Sequence, residues 1–415
     1  MYPPNLRLLL PGLVAGLGLL GGCVSAVQAP SNLYEASLGD APYMDERVSF
    51  RRGAALAVEE LDALNRDACR EAAQPSSYPE AAYTPVDVAT SIDLPLSPGD
   101  MVRVSIEGDE LLSGTYVLAP DGRLHIPHLA PLIASGFRPS DVESMLAAML
   151  VAERFYRQGA LRLSLQVVDY GPVQVFVSGA VFGPGMREIN VRRAEDQPEA
   201  RLDAPGDAPG GRRLSVALQA AGGVRPDADL ANVVLTRAGR RRIIDLRGAL
   251  DGAPFDDLPL IAGDQVHVTS RACFQPELAR PSAVTPPGIR VFMSNLTRPA
   301  PGNALAAIGR DAWSLPYGTR LLQALVSANC VGGTQATNAN RYAVLISRNP
   351  LTGRSEVISR PVEALVRRAD RDGFDPYLLP GDAIACYDSA VINLGDVLAG
   401  AWGASRALGL PGTGG

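Results

Sequence analysis

Lysine is missing from this chain of 415 residues: all 38 Lys+Arg positions are arginine. That excludes a phosphate-binding lysine of the Walker type and any Schiff-base lysine. Histidine is nearly as scarce, with three residues, so acid–base chemistry would have to rest mainly on carboxylates. No Cys-x-x-Cys spacing occurs among the five cysteines, which argues against zinc. His125 and His128 stand three apart, and on a strand that puts them on opposite faces, so a shared metal is awkward. Ser178 lacks a nucleophile elbow, and Ser215 has no visible base nearby. Asp256-Asp257 and Glu59-Glu60 read as solvated pairs, and the Gly-Gly pairs at Gly222 and Gly332 as helix C-caps. We therefore expect no enzyme, no metal and no cofactor. The net charge of -6 argues against non-specific nucleic-acid binding.

What the chain has in abundance is turns, with 42 Gly and 34 Pro. One phrase returns three times. It runs Leu96 to Pro98-Gly99-Asp100 and on to Val104, then Leu260 to Gly263-Asp264 and on to Val268, then Leu379 to Gly381-Asp382 and on to Cys386. A tight turn delivers Gly-Asp, and apolar residues at every second position follow, as in a half-buried strand. Three such phrases predict several small β modules.

The N-terminus reads as a targeting segment. Arg7 is its only charge, and Leu8 to Leu20 is an apolar run too short to span a membrane. It ends Leu20-Gly21-Gly22-Cys23, which resembles a bacterial lipobox. The resemblance implies a lipoprotein signal peptide over residues 1–22, acylation of Cys23 and, with Val24 rather than Asp following, sorting to the outer membrane. Four cysteines remain in an exported and hence oxidising setting. Three pairings are possible; Cys330 with Cys386 is favoured because both fall in one repeat, which leaves Cys69 with Cys273.

Residues 23–90 read as a tether followed by a helix over 51–73 and a Pro-containing linker. A first module over residues 91–170 is legible as strand, hairpin and helix. Pro127 sets the stretch from Leu124 to Leu132 at a sheet edge or bulge. Ser140 is the expected N-cap of the helix, with Glu143 completing a capping box. Pro98-Gly99-Asp100, Gly114-Thr-Tyr116, Asp121-Gly122 through Pro127 and Arg138-Pro-Ser-Asp-Val142 resemble the polysaccharide-export domain of the capsule and exopolysaccharide outer-membrane exporters, the Wza-like family. The stretch from Val173 through Gly179 to Gly185, then Ser215 to Gly223, Asp229 to Arg237 and Leu260 to Val268 resemble the β-grasp (SLBB) modules of those exporters.

An internal repeat supports this reading on its own. The helix ending at Gly222-Gly223 has a counterpart over Leu321 to Gly333. Val233 to Arg237 has Ala343 to Arg348, and Ile243 to Leu246 has Glu356 to Ser359. The first copy covers residues 171–271, with a mobile insertion at about 192–213. The second, divergent copy covers residues 288–388 and has Asn295 where the first has Gly179. The fold class expected from the resemblance is α+β: tandem small β-grasp-like modules stacked along the chain, plus a C-terminal amphipathic transmembrane helix.

That helix is read over residues 389–410. At about 100° per residue, Asn393, Asp396, Gly400 and Gly403 share one arc, while Leu394, Leu398 and Trp402 lie opposite. About 20 residues give roughly 30 Å, the thickness of the bilayer core. Asp396 near the middle costs a lone helix about 2.5–3.5 kcal/mol, whereas a ring could turn it to water. The first set is then pore-lining and the second lipid-facing.

Together these features predict a lipid-anchored outer-membrane conduit for capsular or extracellular polysaccharide, a homo-oligomer with most of the chain in the periplasm. The partners implied by the resemblance are the polysaccharide polymer, outer-membrane lipids, and an inner-membrane co-polymerase or ABC-transporter adaptor complex. The alternative is an outer-membrane lipoprotein that binds glycan or scaffolds a periplasmic complex without forming a channel.

Overall fold

Among the described residues, three sheets of three to five strands, each with its own apolar core, follow one another, and a two-stranded ribbon accompanies the first. The structure, a computed structural model, describes residues 94–191, 210–295, 313–328, 342–351, 353–369 and 374–387. The signal peptide, the tether and its helix, most of the insertion and the expected C-terminal helix lie outside the described residues. Within them the fold is mixed α/β with small sheets and short helices, and no helix is long and apolar enough to cross a membrane.

The first sheet has β1 (Met101–Ile106) between β2 (Asp109–Val117) and β5 (Leu163–Asp169), antiparallel to both. Val102, Val104 and Ile106 alternate inward, as the sequence pattern predicts. They meet Val142, Leu146 and Leu150, spaced four apart on helix α1 (Pro139–Ala152). Burying each such side chain contributes about 1.5–3 kcal/mol.

Two local expectations fail here. Pro139 opens α1, the N-cap is Arg138, and Ser140 lies inside the helix without capping it. Glu143 does not reach back to the N-cap either; its carboxylate accepts the Leu165 N–H at 2.9 Å and so ties α1 to β5. The stretch from Leu124 to Leu132 does not continue the sheet. The strand β3 (Arg123–Leu124) stops, the chain turns at Pro127-His128, and β4 (Leu132–Ile133) pairs back on it.

The second sheet takes the order β7-β6-β10-β8-β9. Its strands are β6 (Val173–Gly179), β7 (Gly185–Ile189), β8 (Ala228–Arg237), β9 (Arg240–Ile244) and β10 (Gln265–Ser270). First and last strands pair in parallel at the centre, and all other pairs are antiparallel. Helix α2 (Leu214–Ala220) covers the inner face with Leu214, Ala217 and Leu218, and Gly222 and Gly223 at positive φ end it. A one-turn helix α3 (Gly248–Asp251) follows β9.

The third sheet repeats this arrangement. Its order is β12-β11-β15-β13-β14, built from β11 (Gly288–Asn295), β12 (Trp313–Pro316), β13 (Tyr342–Arg348), β14 (Ser355–Pro361) and β15 (Ala383–Tyr387). Again the first and last strands are parallel. Helix α4 (Leu321–Ser327) stands where α2 stood, and α5 (Val362–Arg367) follows β14.

The repeat extends to single hydrogen bonds. Leu214 donates its N–H to Leu258 O and Leu321 to Pro376 O, both at 2.9 Å. Asp257 accepts the Ser215 N–H and Asp375 the Leu322 N–H, also at 2.9 Å. Each carboxylate thus satisfies a donor that the first helical turn leaves unpaired. Asp257 is therefore not a solvated residue, and it also accepts the Ser215 hydroxyl at 2.7 Å.

The strand registers correct two correspondences read from sequence. Gln265 pairs with Thr236 and Ala383 with Ile346, so Arg237 corresponds to Ser347 rather than Arg348. Val233 pairs with Ile244 and Ala343 with Arg360, so Ile244 corresponds to Arg360. The apolar run in Glu356 to Ser359 misled because the position packed in both copies holds an arginine in the second. Arg360 is 1% exposed, donates to Phe374 O at 3.0 Å and lies over the Phe374 ring.

Gly179 sits where β6 leaves the parallel pair, with φ +86°, and a Cβ there would stand 1.9 Å from Val268 O. Gly179→Ala should therefore destabilise the first repeat by more than about 2 kcal/mol, the steric penalty of the left-handed region plus the clash. Amide hydrogen exchange in β6 and β10 checks this; wild-type protection would contradict the described pairing.

Candidate functional site

The three Gly-Asp phrases form one local structure. Gly99, Gly263 and Gly381 have φ between +84° and +90°, the left-handed turn conformation glycine accepts. Each following aspartate accepts the N–H three residues back: Asp100 from Ser97 at 2.8 Å, Asp264 from Ile261 at 2.9 Å, Asp382 from Leu379 at 2.8 Å. All three are 2% exposed or less, so each needs a further polar partner. Asp264 takes Arg237 at 2.6 Å, and Asp382 takes the Ser347 hydroxyl at 2.5 Å, both within their own sheet.

Asp100 instead reaches into the next sheet. Arg212, in a 3-10 turn over Gly210–Arg212, forms a bidentate pair with it, and both side chains are fully buried. The guanidinium also donates to Gly171 O at 2.6 and 2.9 Å and lies over the Tyr170 ring. Gly171 returns its N–H to Asp100 at 3.0 Å, and Asn190 donates to Tyr170 O. Burial raises the Asp100 carboxyl, against the pull of Arg212 and the Ser97 and Gly171 N–H groups. The insertion expected at about 192–213 therefore ends earlier, because Arg212 is built into the core. Leu94, Tyr170 and Ile261 pack beside this junction.

A second polar cluster stands at the tip of the β1–β2 hairpin. Tyr156 donates its hydroxyl to Asp109, whose other oxygen accepts the Leu111 and Leu112 N–H groups at 2.8 and 3.1 Å. The Tyr156 bond holds Asp109 below the usual carboxylate range, and Asp109 in turn pushes the Tyr156 phenol up to about 12. Leu111, 70% exposed, and Phe155, 47% exposed, flank this tip.

The remaining expected residues scatter. Cys23, Cys69, Cys330, Asn393, Asp396, Gly400, Gly403, Leu394, Leu398 and Trp402 lie outside the described residues. Cys273 and Cys386 are each disulfide-bonded. His125 lies 3.9 Å from Asp121, and His128 occupies a turn with φ 66°. No cluster of His, Cys, Asp or Glu suited to a metal occurs among the described residues. An open depression of about 510 Å³ is lined by Asp245, Arg247, Asp251, Phe255 and Asp256. Its carboxylates are occupied: Asp245 by Arg247, Asp251 by Arg280 and Asp256 by Arg242.

Sequence reasoning missed three groupings. Arg212 hid at the end of a Pro- and Gly-rich run. Tyr156 and Asp109 are 47 residues apart. Ser178 meets His267 Nδ1 at 3.0 Å across 89 residues, on an imidazole whose pKa burial lowers. Only the strand register reveals that last pair.

Two outcomes are expected from these clusters. Arg212→Met should destabilise the purified chain by about 3–5 kcal/mol, since it strands a buried carboxylate. Adding Asp100→Asn should recover part of the loss, giving a coupling above about 1 kcal/mol in denaturant unfolding. For the hairpin tip, Tyr156→Phe should raise the Asp109 pKa toward the ordinary value of about 3.9. The sign follows from the lowered folded value: the bond stabilises the fold above the ordinary carboxylate pKa, and that contribution fades as pH falls through the Asp109 value. NMR titration of the Asp109 carboxyl carbon should show a higher midpoint in the variant.

Residues 88–168 match the family described as polysaccharide biosynthesis/export protein. The comparison with curated proteins returned no match. The matched stretch holds the β1–β2 hairpin, α1 and the Asp100 turn, and over it the chain is similar to a polysaccharide biosynthesis/export domain.

Proposed function

We propose that the chain is an outer-membrane conduit for capsular or extracellular polysaccharide. One observation carries the reading: an export domain over residues 88–168 runs directly into two tandem sheets of one topology. The strand order 2-1-5-3-4 with its central parallel pair suits the β-grasp (SLBB) modules that the sequence resembles. Involvement in polysaccharide export follows from the domain; the conduit is our inference.

In this reading several copies form a ring whose modules stack in the periplasm. An acylated Cys23 anchors each copy, and more than one acyl chain makes that attachment stable. The segment over residues 389–410 forms the exit pore, with Asn393, Asp396, Gly400 and Gly403 toward water and Leu394, Leu398 and Trp402 toward lipid. No bond is made or broken. Work comes from an inner-membrane co-polymerase or an ABC-transporter adaptor complex. A moving polymer needs many weak contacts rather than one tight site, which suits a chain whose buried aspartates Asp100, Asp264 and Asp382 are engaged in holding the fold.

Removing residues 389–415 should leave a folded, membrane-attached protein and abolish surface polymer. Wild-type surface polymer in that strain, measured by staining intact cells, would overturn the pore assignment.

A further inference from the structure

The two repeats present different outer faces at the same register. Outward from Phe176 the second sheet runs Gln265, Thr236, Arg241. Outward from Phe292 the third sheet runs Ala383, Ile346, Val357. Tyr342 stands where the second sheet has Asn232, and Ala385 where it has His267. Each of these positions that is polar in the second sheet is apolar or aromatic in the third. Phe292, Ile346 and Tyr342 are 56%, 41% and 47% exposed.

The third face is also covered where the second is not. Ala343, Leu345 and Ile384 point into the inner core, so Val344 and Ala385 point outward. These two pair across β13 and β15 and are only 2% and 5% exposed. Val234 and His267 pair at the same place in the second sheet and are half-buried. Strand neighbours alone therefore leave this place partly open, and a further layer is needed to close it. Ala385 lies two residues before Tyr387, where β15 ends, so residues 388–415 leave the sheet beside this pair. A helix over residues 391–402 is about 16 Å long and carries Leu394, Leu398 and Trp402 on one side. The four strands from β11 to β14 span about 14 Å.

We propose that residues 389–410 dock on the outer face of the third sheet in the unassembled chain, with Leu394, Leu398 and Trp402 against it. Val344 and Ala385 lie beneath the start of the segment, and Phe292, Ile346 and Val357 beneath its apolar side. Asn393 and Asp396 then face water. The same apolar side chains would otherwise stay in water until the chain met lipid, at a cost proportional to their area. Ring formation exchanges the sheet for lipid and turns the polar side to the pore. That exchange rests on the conduit reading; the docking stands on the face itself.

Trp402 reports on the docking in the full chain carrying Trp313→Phe, where it is the one tryptophan left. The purified protein is measured at a dilution where its native mass is that of one copy. Trp402 should emit toward the blue and resist quenching by acrylamide. Ile346→Asp should shift the emission to the red and speed quenching at least threefold, and Phe292→Asp is the second variant should the first fail to fold. Thr236→Asp, at the same register of the second sheet, should leave Trp402 as it was. Rapid quenching with the face intact, protection that survives both Ile346→Asp and Phe292→Asp, or equal loss with Thr236→Asp would each overturn the proposal. So would protection found only when the native mass exceeds one copy, which would make the occupant a second copy. Failure of the conduit reading is read separately: unaltered surface polymer after removal of residues 389–415 refutes the pore, whatever Trp402 reports.

Discussion

A buried carboxylate at the entrance to a strand is the constraint on which this structure depends. Asp100, Asp264 and Asp382 are all but inaccessible, and each turns its charge onto the backbone that delivers it. The arrangement locks the turn but leaves a second oxygen to satisfy, because an unpaired buried carboxylate is costly. How each sheet meets that demand distinguishes the three. Asp264 recruits an arginine from the neighbouring strand, and Asp382 accepts the Ser347 hydroxyl. Asp100 takes its arginine from beyond the second sheet's first hairpin, so closing its own turn also docks the export domain on the first repeat.

Much of this was legible in the sequence and some was not, for identifiable reasons. The turn phrases, the alternating strands and the duplicated helix rest on local rules, and the strands starting at Met101, Gln265 and Ala383 fall where those rules put them. Capping at Ser140 failed because Pro139 already supplies a preset first turn and Glu143 finds a better acceptor role toward Leu165. Matching Ile243 to Leu246 with Glu356 to Ser359 failed because β14 buries Arg360 at the place equivalent to Ile244, with a carbonyl and a ring to receive it. Asp256-Asp257 looked like one solvated pair, yet Asp256 faces Arg242 at the surface while Asp257 holds the start of α2.

Of the candidate site, the sequence revealed composition but not convergence. Arg212 carries no local signal, since a buried arginine and a loop arginine look alike until the fold brings a carboxylate to one of them. Phe176 reads as one more apolar residue in a β-run; only its outward place in the register marks it as surface. The duplication turned out to be the better guide, because two copies solving one packing problem show which side chains packing does not require.

The parallel pairing of first and last strands in each repeat has a mechanical consequence. Chain enters at the start of β6 and leaves at the end of β10, which run side by side from Phe176–Gln265 to Gly179–Val268. Tension applied along the polypeptide would load those hydrogen bonds together, in shear, rather than unzip them one by one. The same clamp recurs between β11 and β15. A chain tethered at one end and strained at the other by a passing polymer would transmit the pull through two such clamps in series before either sheet gave way.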